Sequence, residues 1–156
     1  LPPGTGDIQL TLTQKIKMTG AIIVTTPQDI ALSDVRKGAD MFKKVNTPVL
    51  GVIENMSGLF LSGNTNAPNS TIHINNEELE IDVNGDFNIN IDIFKKNGGQ
   101  KESKRLGVPL LGKIPLSKEI MNATDSGIPI VVSDSNQKTG EVYFSLADKI
   151  SKLIKL

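Results

Sequence analysis

Two short apolar runs with one amphipathic stretch between them constrain this chain more than any other feature. Ala21-Ile22-Ile23-Val24-Thr25-Thr26 and Pro48-Val49-Leu50-Gly51-Val52-Ile53 are almost continuously apolar. That is the pattern of strands covered on both faces, not of strands with one wet face. Between them Leu32, Val35, Ala39, Phe42 and Val45 recur at helical spacing, and Asp34, Arg36, Lys37, Asp40, Lys43 and Lys44 occupy the other faces. Strand, helix and strand in this order form a βαβ unit with parallel strands and a right-handed crossover. A sheet of such strands needs helices on both sides, so the fold class is α/β.

The alternation continues downstream. Gly98 to Leu106 reads as a helix, Leu110 to Ile114 as a strand, Ser117 to Ser126 as a helix and Ile128 to Val132 as an extended segment. Val142, Leu146, Ile150, Leu153 and Ile154 make one stripe of a C-terminal helix. Near the start, Asp7 can cap a helix running to about Lys17, with Ile8, Leu12 and Ile16 at spacings of four. Three buried parallel strands make only part of a doubly wound sheet. Pro2-Pro3-Gly4-Thr5-Gly6 has the composition of a loop that joins a strand to a helix, and no initiator Met or leader precedes it. The expectation is a chain entered partway through its fold.

Residues 58–92 break the pattern. They hold eight Asn, six acidic side chains and no Lys or Arg, so the rest of the chain carries 17 positive and 11 negative charges. Thr71 to Ile74 and Ile81 to Ile93 alternate polar and apolar residues, and Asn84-Gly85 is a hairpin signal. The segment is therefore expected to be an acidic, Asn-rich insertion, a β-hairpin with a mobile loop at Ser62 to Ser70, set into a domain made of 1–57 and 93–156. Ile72, Ile74, Ile81, Val83 and Ile89 are its expected anchors.

Composition excludes several functions. At 156 residues roughly 70% of the unfolded surface can be buried, so no staple is required, and the absence of Cys removes disulfides and thiolate-held metals from this chain. Equal numbers of acidic and basic residues, 17 of each, argue against a nucleic-acid binder, which needs a basic field. No apolar run approaches the ~18 residues of a membrane span.

Few motifs carry chemistry on their own. Gly107 to Lys113 fits G-x4-G-K, but Ile114 stands where a phosphate loop needs a Ser or Thr hydroxyl for Mg2+. Its interior Pro109-Leu110-Leu111 also suits a strand. His73, the single histidine, has no Cys or second His to share a metal and reads as a hairpin residue. The opening loop can present backbone N–H groups to an anion or be an ordinary turn capped by Asp7. Asn55 lies just beyond the carboxyl end of a buried strand, where α/β sheets bind ligands. Its amide offers a donor and an acceptor for a purine edge, and a plain turn asparagine is the competing reading.

Four segments taken together resemble one family. Leu1-Pro2-Pro3-Gly4-Thr5-Gly6-Asp7-Ile8-Gln9-Leu10-Thr11, Val24-Thr25-Thr26-Pro27-Gln28-Asp29-Ile30-Ala31-Leu32, Gly51-Val52-Ile53-Glu54-Asn55-Met56-Ser57 and Gly107-Val108-Pro109-Leu110-Leu111-Gly112-Lys113-Ile114-Pro115-Leu116 are similar to the Mrp/ApbC iron-sulfur carrier ATPases, relatives of MinD/ParA and of the nitrogenase iron protein. The resemblance covers nearly the whole chain outside the insertion. It implies a partial doubly wound parallel sheet of a P-loop NTPase that binds ATP and Mg2+. It further implies a cytoplasmic homodimer that passes an iron-sulfur cluster to apo client proteins. Pro3, Gly4, Thr5, Gly6 and Asp7 would form the phosphate-facing switch II loop. Asn55 would recognise adenine, with Pro115 and Leu116 packed beside the base.

Two departures accompany the resemblance. The family's Walker A lysines, Mg2+-associated Asp and water-positioning Asp fall upstream of Leu1, so no catalytic residue is expected within these 156 residues. The family's Cys-x-x-Cys, placed without gaps, falls on Leu61 and Asn64, neither of which ligates iron. A cluster-free MinD/ParA-like switch acting through a partner, and a non-functional gene fragment, are the competing expectations.

Overall fold

The computed structural model describes residues 7–74, 77–132 and 137–154. Its elements in chain order are α1 (Asp7–Lys15), β1 (Ala21–Thr25), α2 (Asp29–Lys44), β2 (Val49–Asn64), β3 (Thr71–Ile74), β4 (Glu77–Glu80), β5 (Asp86–Ile91), α3 (Gly98–Leu106), β6 (Leu110–Leu116), α4 (Lys118–Ser126) and α5 (Gln137–Ile154). β2 is the centre of the main sheet. β1 and β6 flank its first half and both run parallel to it, as the βαβ pattern requires.

Helices cover the two faces, and alternation along the strands gives each face its own core. Ile23 and Val52 pack with Ala39 of α2, against Val35, Phe42 and Leu106. Ile53, Leu111, Ile114 and Leu146 pack on the opposite face, against Ile120, Val142 and Ile150. Successive residues of a strand point to opposite faces, and here Val52 and Ile53 each find a core. The apolar run of β2 at this point is thus explained by helices on both of its faces, whereas Val24 of β1, expected to be covered as well, is 55% exposed.

Helix ends follow their sequence signals unevenly. Ser117 caps α4 by accepting a 3.1 Å hydrogen bond from the Ile120 N–H. α2 begins after an extended Gln28 without a side-chain cap. Asp29 in its first turn suits the positive end of the helix dipole, and Lys95, hydrogen-bonded to it, holds its carboxyl below the usual carboxylate range. Further along, Glu102 of α3 is 1% exposed. Its carboxylate accepts from Arg105 Nε at 2.8 Å and Arg36 Nε at 3.3 Å, tying α3 to α2. The hydrogen bond to Glu102 raises the Arg105 pKa above its ordinary value.

The structure corrects three sequence expectations. α1 ends at Lys15, and its stripe is not buried: Ile8 is 69% and Ile16 54% exposed, while Thr13 is the buried residue. β1 pairs with β2 alone among the described residues, so little sheet surface exists to cover that stripe. Ile128 to Val132 is not extended; the Val132 N–H donates to Pro129 O at 2.9 Å, closing a turn. A proline that lacks a ladder donor favours that outcome.

The third correction concerns the insertion. β2 does not stop near Ile53 but runs on to Asn64, and its second half pairs antiparallel with β5, from Leu59↔Ile91 to Asn64↔Asp86. Leu59 also pairs with Leu116 of β6, so β5 occupies the flank of β2 that β1 leaves at Thr25. The alternation from Thr71 is real, but Thr71–Ile74 pairs with Glu77–Glu80, not with the strand after Asn84-Gly85. Ile81 is buried and Val83 is exposed. Asp82 Oδ1 accepts from the Asn84 and Asp86 N–H groups at 2.8 Å, so the Asn-Gly pair turns the chain into β5. The first stretch of the expected loop, Ser62 to Asn64, is strand.

Leu111 joins β6 to α5 at 2% exposure. Leu111→Ala should lower unfolding free energy by about 2–5 kcal/mol, the range for truncating a buried leucine. Urea titration followed by circular dichroism measures it, and an unchanged midpoint would show that this face is not a packed core.

Candidate functional site

The end of the parallel half of β2 and the carboxyl end of β6 bring the predicted adenine-side residues together. Asn55 is in register with Ile114 on the adjacent strand, so Pro115 and Leu116 follow beside it at the same end of the sheet. Asn55 and Pro115 are half-buried and Leu116 is exposed. Immediately after Asn55 the strand loses its regularity: Met56 has φ +54° and Gly58 φ +86°, and the β2–β6 register jumps between Asn55 and Leu59. A bulge of this kind re-aims side chains and is common beside binding sites. Asn55 Oδ1 accepts a 2.9 Å hydrogen bond from the Met56 N–H. The amide is thereby oriented by its own backbone. Its Nδ2 donor has no protein partner among the described residues.

One residue earlier, Glu54 points to the other face. It is 1% exposed and its carboxylate is fully engaged. Oε2 accepts from the Gly99 N–H at 2.6 Å, Oε1 accepts from the Ser57 hydroxyl at 2.6 Å, and Lys113 Nζ lies 3.5 Å from Oε1. Lys113 also donates to Asn97 Oδ1 at 2.9 Å. α3 can approach this closely because it opens on two glycines. A Cβ on Gly99 would stand 2.8 Å from Glu54 Cβ, and one on Gly98 2.6 Å from the Pro27 carbonyl oxygen. The positive end of the α3 dipole therefore already has its anion. A cleft of about 220 Å³ beside this cluster is bounded by Ser57, Gly58, Asp92, Lys95 and Lys96.

The remaining predicted residues are not part of this arrangement. Asp7 is exposed at the first turn of α1. Pro3, Gly4, Thr5 and Gly6 lie outside the described residues. Lys113, the end of the G-x4-G-K string, sits in strand β6 and serves Glu54, and Gly107 ends α3. The string is structural. His73 is exposed on β3, 3.9 Å from Glu78 Oε1.

Leu61 and Asn64 lie in the antiparallel half of β2, opposite Ile89 and Asp86. Asn64 Nδ2 donates to Asn84 O and Asp86 Oδ1 at 2.9 and 2.8 Å, and Leu61 is 40% exposed. No group of His, Cys, Asp and Glu among the described residues is arranged to hold a metal ion. These residues do not fit an iron-sulfur cluster. No motif in the sequence marks Glu54, Gly98 or Gly99 as site residues. The signal was an acidic residue ending an apolar strand, matched by a Gly-Gly pair opening a helix.

A family model described as the NUBPL iron-transfer P-loop NTPase, of the ParA group, matches residues 1–151. The chain belongs to this family. It is 42% identical over 147 residues to an iron-sulfur cluster carrier protein of Pseudomonas fragi, covering 94% of this chain and 43% of that protein. It is 37% identical over 155 residues to a mitochondrial iron-sulfur protein required for NADH dehydrogenase of Arabidopsis thaliana, covering 99% of this chain and 42% of that protein. The chain thus spans less than half the length of these relatives. Among solved structures, the cell division ATPase MinD of Pyrococcus furiosus superposes with a TM-score of 0.56 at 24% identity, over 86% of this chain and 43% of that one. A nucleotide-binding protein of Archaeoglobus fulgidus, solved with ADP, gives 0.54 at 28% identity, over 81% and 43%. The P-loop NTPase fold of the iron-transfer family accounts for the parallel sheet with helices on both faces. Among the described residues no helix is long and apolar enough to cross a membrane.

Replacing Glu54 with Gln keeps one acceptor but sets an amino group against a buried donor. Glu54→Gln should cost about 1–3 kcal/mol, the scale for an unsatisfied buried polar group. Equilibrium urea unfolding reads the loss, and wild-type stability would mean that the carboxylate does not fasten α3.

Proposed function

We propose that this chain forms the adenine-side half of the nucleotide site in an ATP-dependent iron-sulfur carrier. The observation that supports it best is Asn55 beside Ile114, Pro115 and Leu116 where the regular parallel pairing of β2 with β6 breaks off, on a chain of the iron-transfer family. Asn55 would donate through Nδ2 to a ring nitrogen of adenine, with Pro115 and Leu116 against the base. The opening loop from Pro3 to Asp7 would face the terminal phosphate. Phosphoryl transfer needs Mg2+, a phosphate-loop lysine and a positioned water, and the 156 residues contain no complete phosphate-loop motif. Those groups and the Mg2+ ligands are assigned to polypeptide outside this sequence. A cytoplasmic homodimer serving apo iron-sulfur clients belongs to the same reading.

The iron-sulfur cluster is the cargo, and its ligands are not supplied here. Leu61 and Asn64, where ungapped placement would put the family's Cys-x-x-Cys, are paired in a β-ladder. That observation favours a second reading, a cluster-free nucleotide switch of the MinD/ParA type whose output is partner binding. Iron and acid-labile sulfide, measured after anaerobic reconstitution of this protein joined to its phosphate-binding half, separate the two. A stoichiometric cluster supports carriage, and none supports the switch.

Two further outcomes are expected. The 156-residue chain alone should release no phosphate from ATP above buffer background; Mg2+-dependent release proportional to protein would overturn the assignment of catalysis elsewhere. In a protein joined to its phosphate-binding half, Asn55→Ala should weaken ATP binding by about 1–3 kcal/mol with unchanged thermal stability. Calorimetric titration measures the difference, and an unaltered dissociation constant would reduce Asn55 to a turn residue.

A further inference from the structure

The insertion leaves two strand edges open. β5 pairs with β2 along one edge and β4 pairs with β3 along one edge, and the second edge of each carries no strand among the described residues. A cleft of about 290 Å³ lies between the β3–β4 hairpin and β5, bounded by Ile74 of β3 and Glu78 and Leu79 of β4 on one side and by residues 88–92 on the other. Successive residues of a strand point to opposite faces. A cavity that meets five residues in a row therefore follows the strand's edge instead of lying over one face. Along that edge half-buried Ile89 and Ile91 alternate with exposed Asn88 and Asn90. Main-chain N–H and C=O groups on an open edge are a template for another strand. The usual protections, Lys or Pro on the edge strand, are absent from the sequence Asp86 to Ile91.

Charge selects the occupant. Glu78 and Asp92 stand at the cleft, and residues 58–92 hold six acidic side chains and no Lys or Arg. Lys96, which also borders the cleft, is bonded to Asp92 at 2.6 Å. A second copy adding its own β5 antiparallel would bring Asp86 and Asp92 of the two chains close together, and like charges across a strand pair are destabilising. We propose that this cleft accepts an extended segment of a partner protein, alternating basic and apolar residues, as a strand added to β5. Main-chain hydrogen bonds would supply the affinity and alternate side chains the specificity. Ile74, Leu79, Ile89 and Ile91 would take the apolar residues, and Glu78 would take a basic one. The nucleotide reading plays no part in this inference, and its failure would leave the inference standing.

A short synthetic peptide of alternating Lys and Val, titrated into the 15N-labelled chain, tests it. The expected result is chemical-shift change confined to β4 and β5, with every second amide of β5 gaining hydrogen-exchange protection. A peptide of alternating Glu and Val should not bind. Glu78→Lys should weaken the Lys-Val peptide severalfold, and because the Glu78 side chain is 74% exposed the variant keeps its fold. Three results would each overturn the proposal: no shifts in β4 and β5, equal binding of the acidic peptide, or binding without alternate protection of β5. Undiminished binding to Glu78→Lys would overturn the role given to charge.

Discussion

Glu54 is the constraint on which the rest of the site depends. Removing a carboxylate from water costs several kcal/mol even after relaxation, so a glutamate at 1% exposure persists only where its oxygens are met. Here a backbone amide and a hydroxyl each reach 2.6 Å, and Lys113 stands at 3.5 Å. Each partner comes from a different place. Gly99 is the first turn of α3, Ser57 lies beyond the bulge in β2, and Lys113 is on β6. Satisfying one carboxylate therefore fixes a helix, a bend and a neighbouring strand relative to β2. The requirement for Gly at 98 and 99 follows from the same contact, since any side chain there would hold α3 off.

With Glu54 turned towards α3, alternation turns Asn55 towards the opposite face, above the core of Ile53 and Ile114. The bulge at Met56 to Gly58 is needed next. Parallel pairing with β6 and antiparallel pairing with β5 place different demands on the backbone, and β2 passes from one regime to the other within those three residues. Met56 carries a positive φ that a non-glycine residue avoids. The local cost is tolerated because the Ser57 bond to Glu54 and the Asn55 bond to the Met56 amide hold both sides of the bend. The oriented Asn55 amide and the change in sheet partner are thus two results of one geometric transition.

Much of this was legible in the sequence, for reasons that differ from element to element. The parallel core could be read because Ala21 to Thr26 and Pro48 to Ile53 are apolar on both faces, a pattern few other arrangements require. α3 has its expected bounds, Gly98 to Leu106, and ends on Gly107 in the left-handed conformation that glycine favours. Asn55 with Pro115 and Leu116 came from the family resemblance, and strand register alone then explains why they meet. Glu54 escaped because burial of a charged residue depends on partners 45 and 59 positions away. Strand pairing in the insertion was misjudged for a related reason: period-two alternation shows that a segment is a strand but not which strand it joins. β5 could pair locally with β3 or distantly with β2, and the flank vacated by β1 offered a longer ladder. α1 is the expected helix, but its apolar stripe stays exposed, because β1 pairs with β2 alone among the described residues and leaves little sheet surface beside it.

Zero net charge conceals a separation that the fold makes physical. Six acidic residues lie within 58–92, against 17 basic and 11 acidic residues elsewhere, so a neutral chain divides into an acidic segment and a basic remainder. At physiological ionic strength exposed charges are screened beyond about 8 Å. An approaching partner meets local fields of opposite sign at the two parts, and such fields govern encounter rates and orientation more than they govern affinity. The structure puts the bulge of β2 at the junction of the two parts. Residues that orient the Asn55 amide are thus covalently continuous with the strand that carries the acidic ladder, three residues separating Asn55 from Leu59 where that ladder begins.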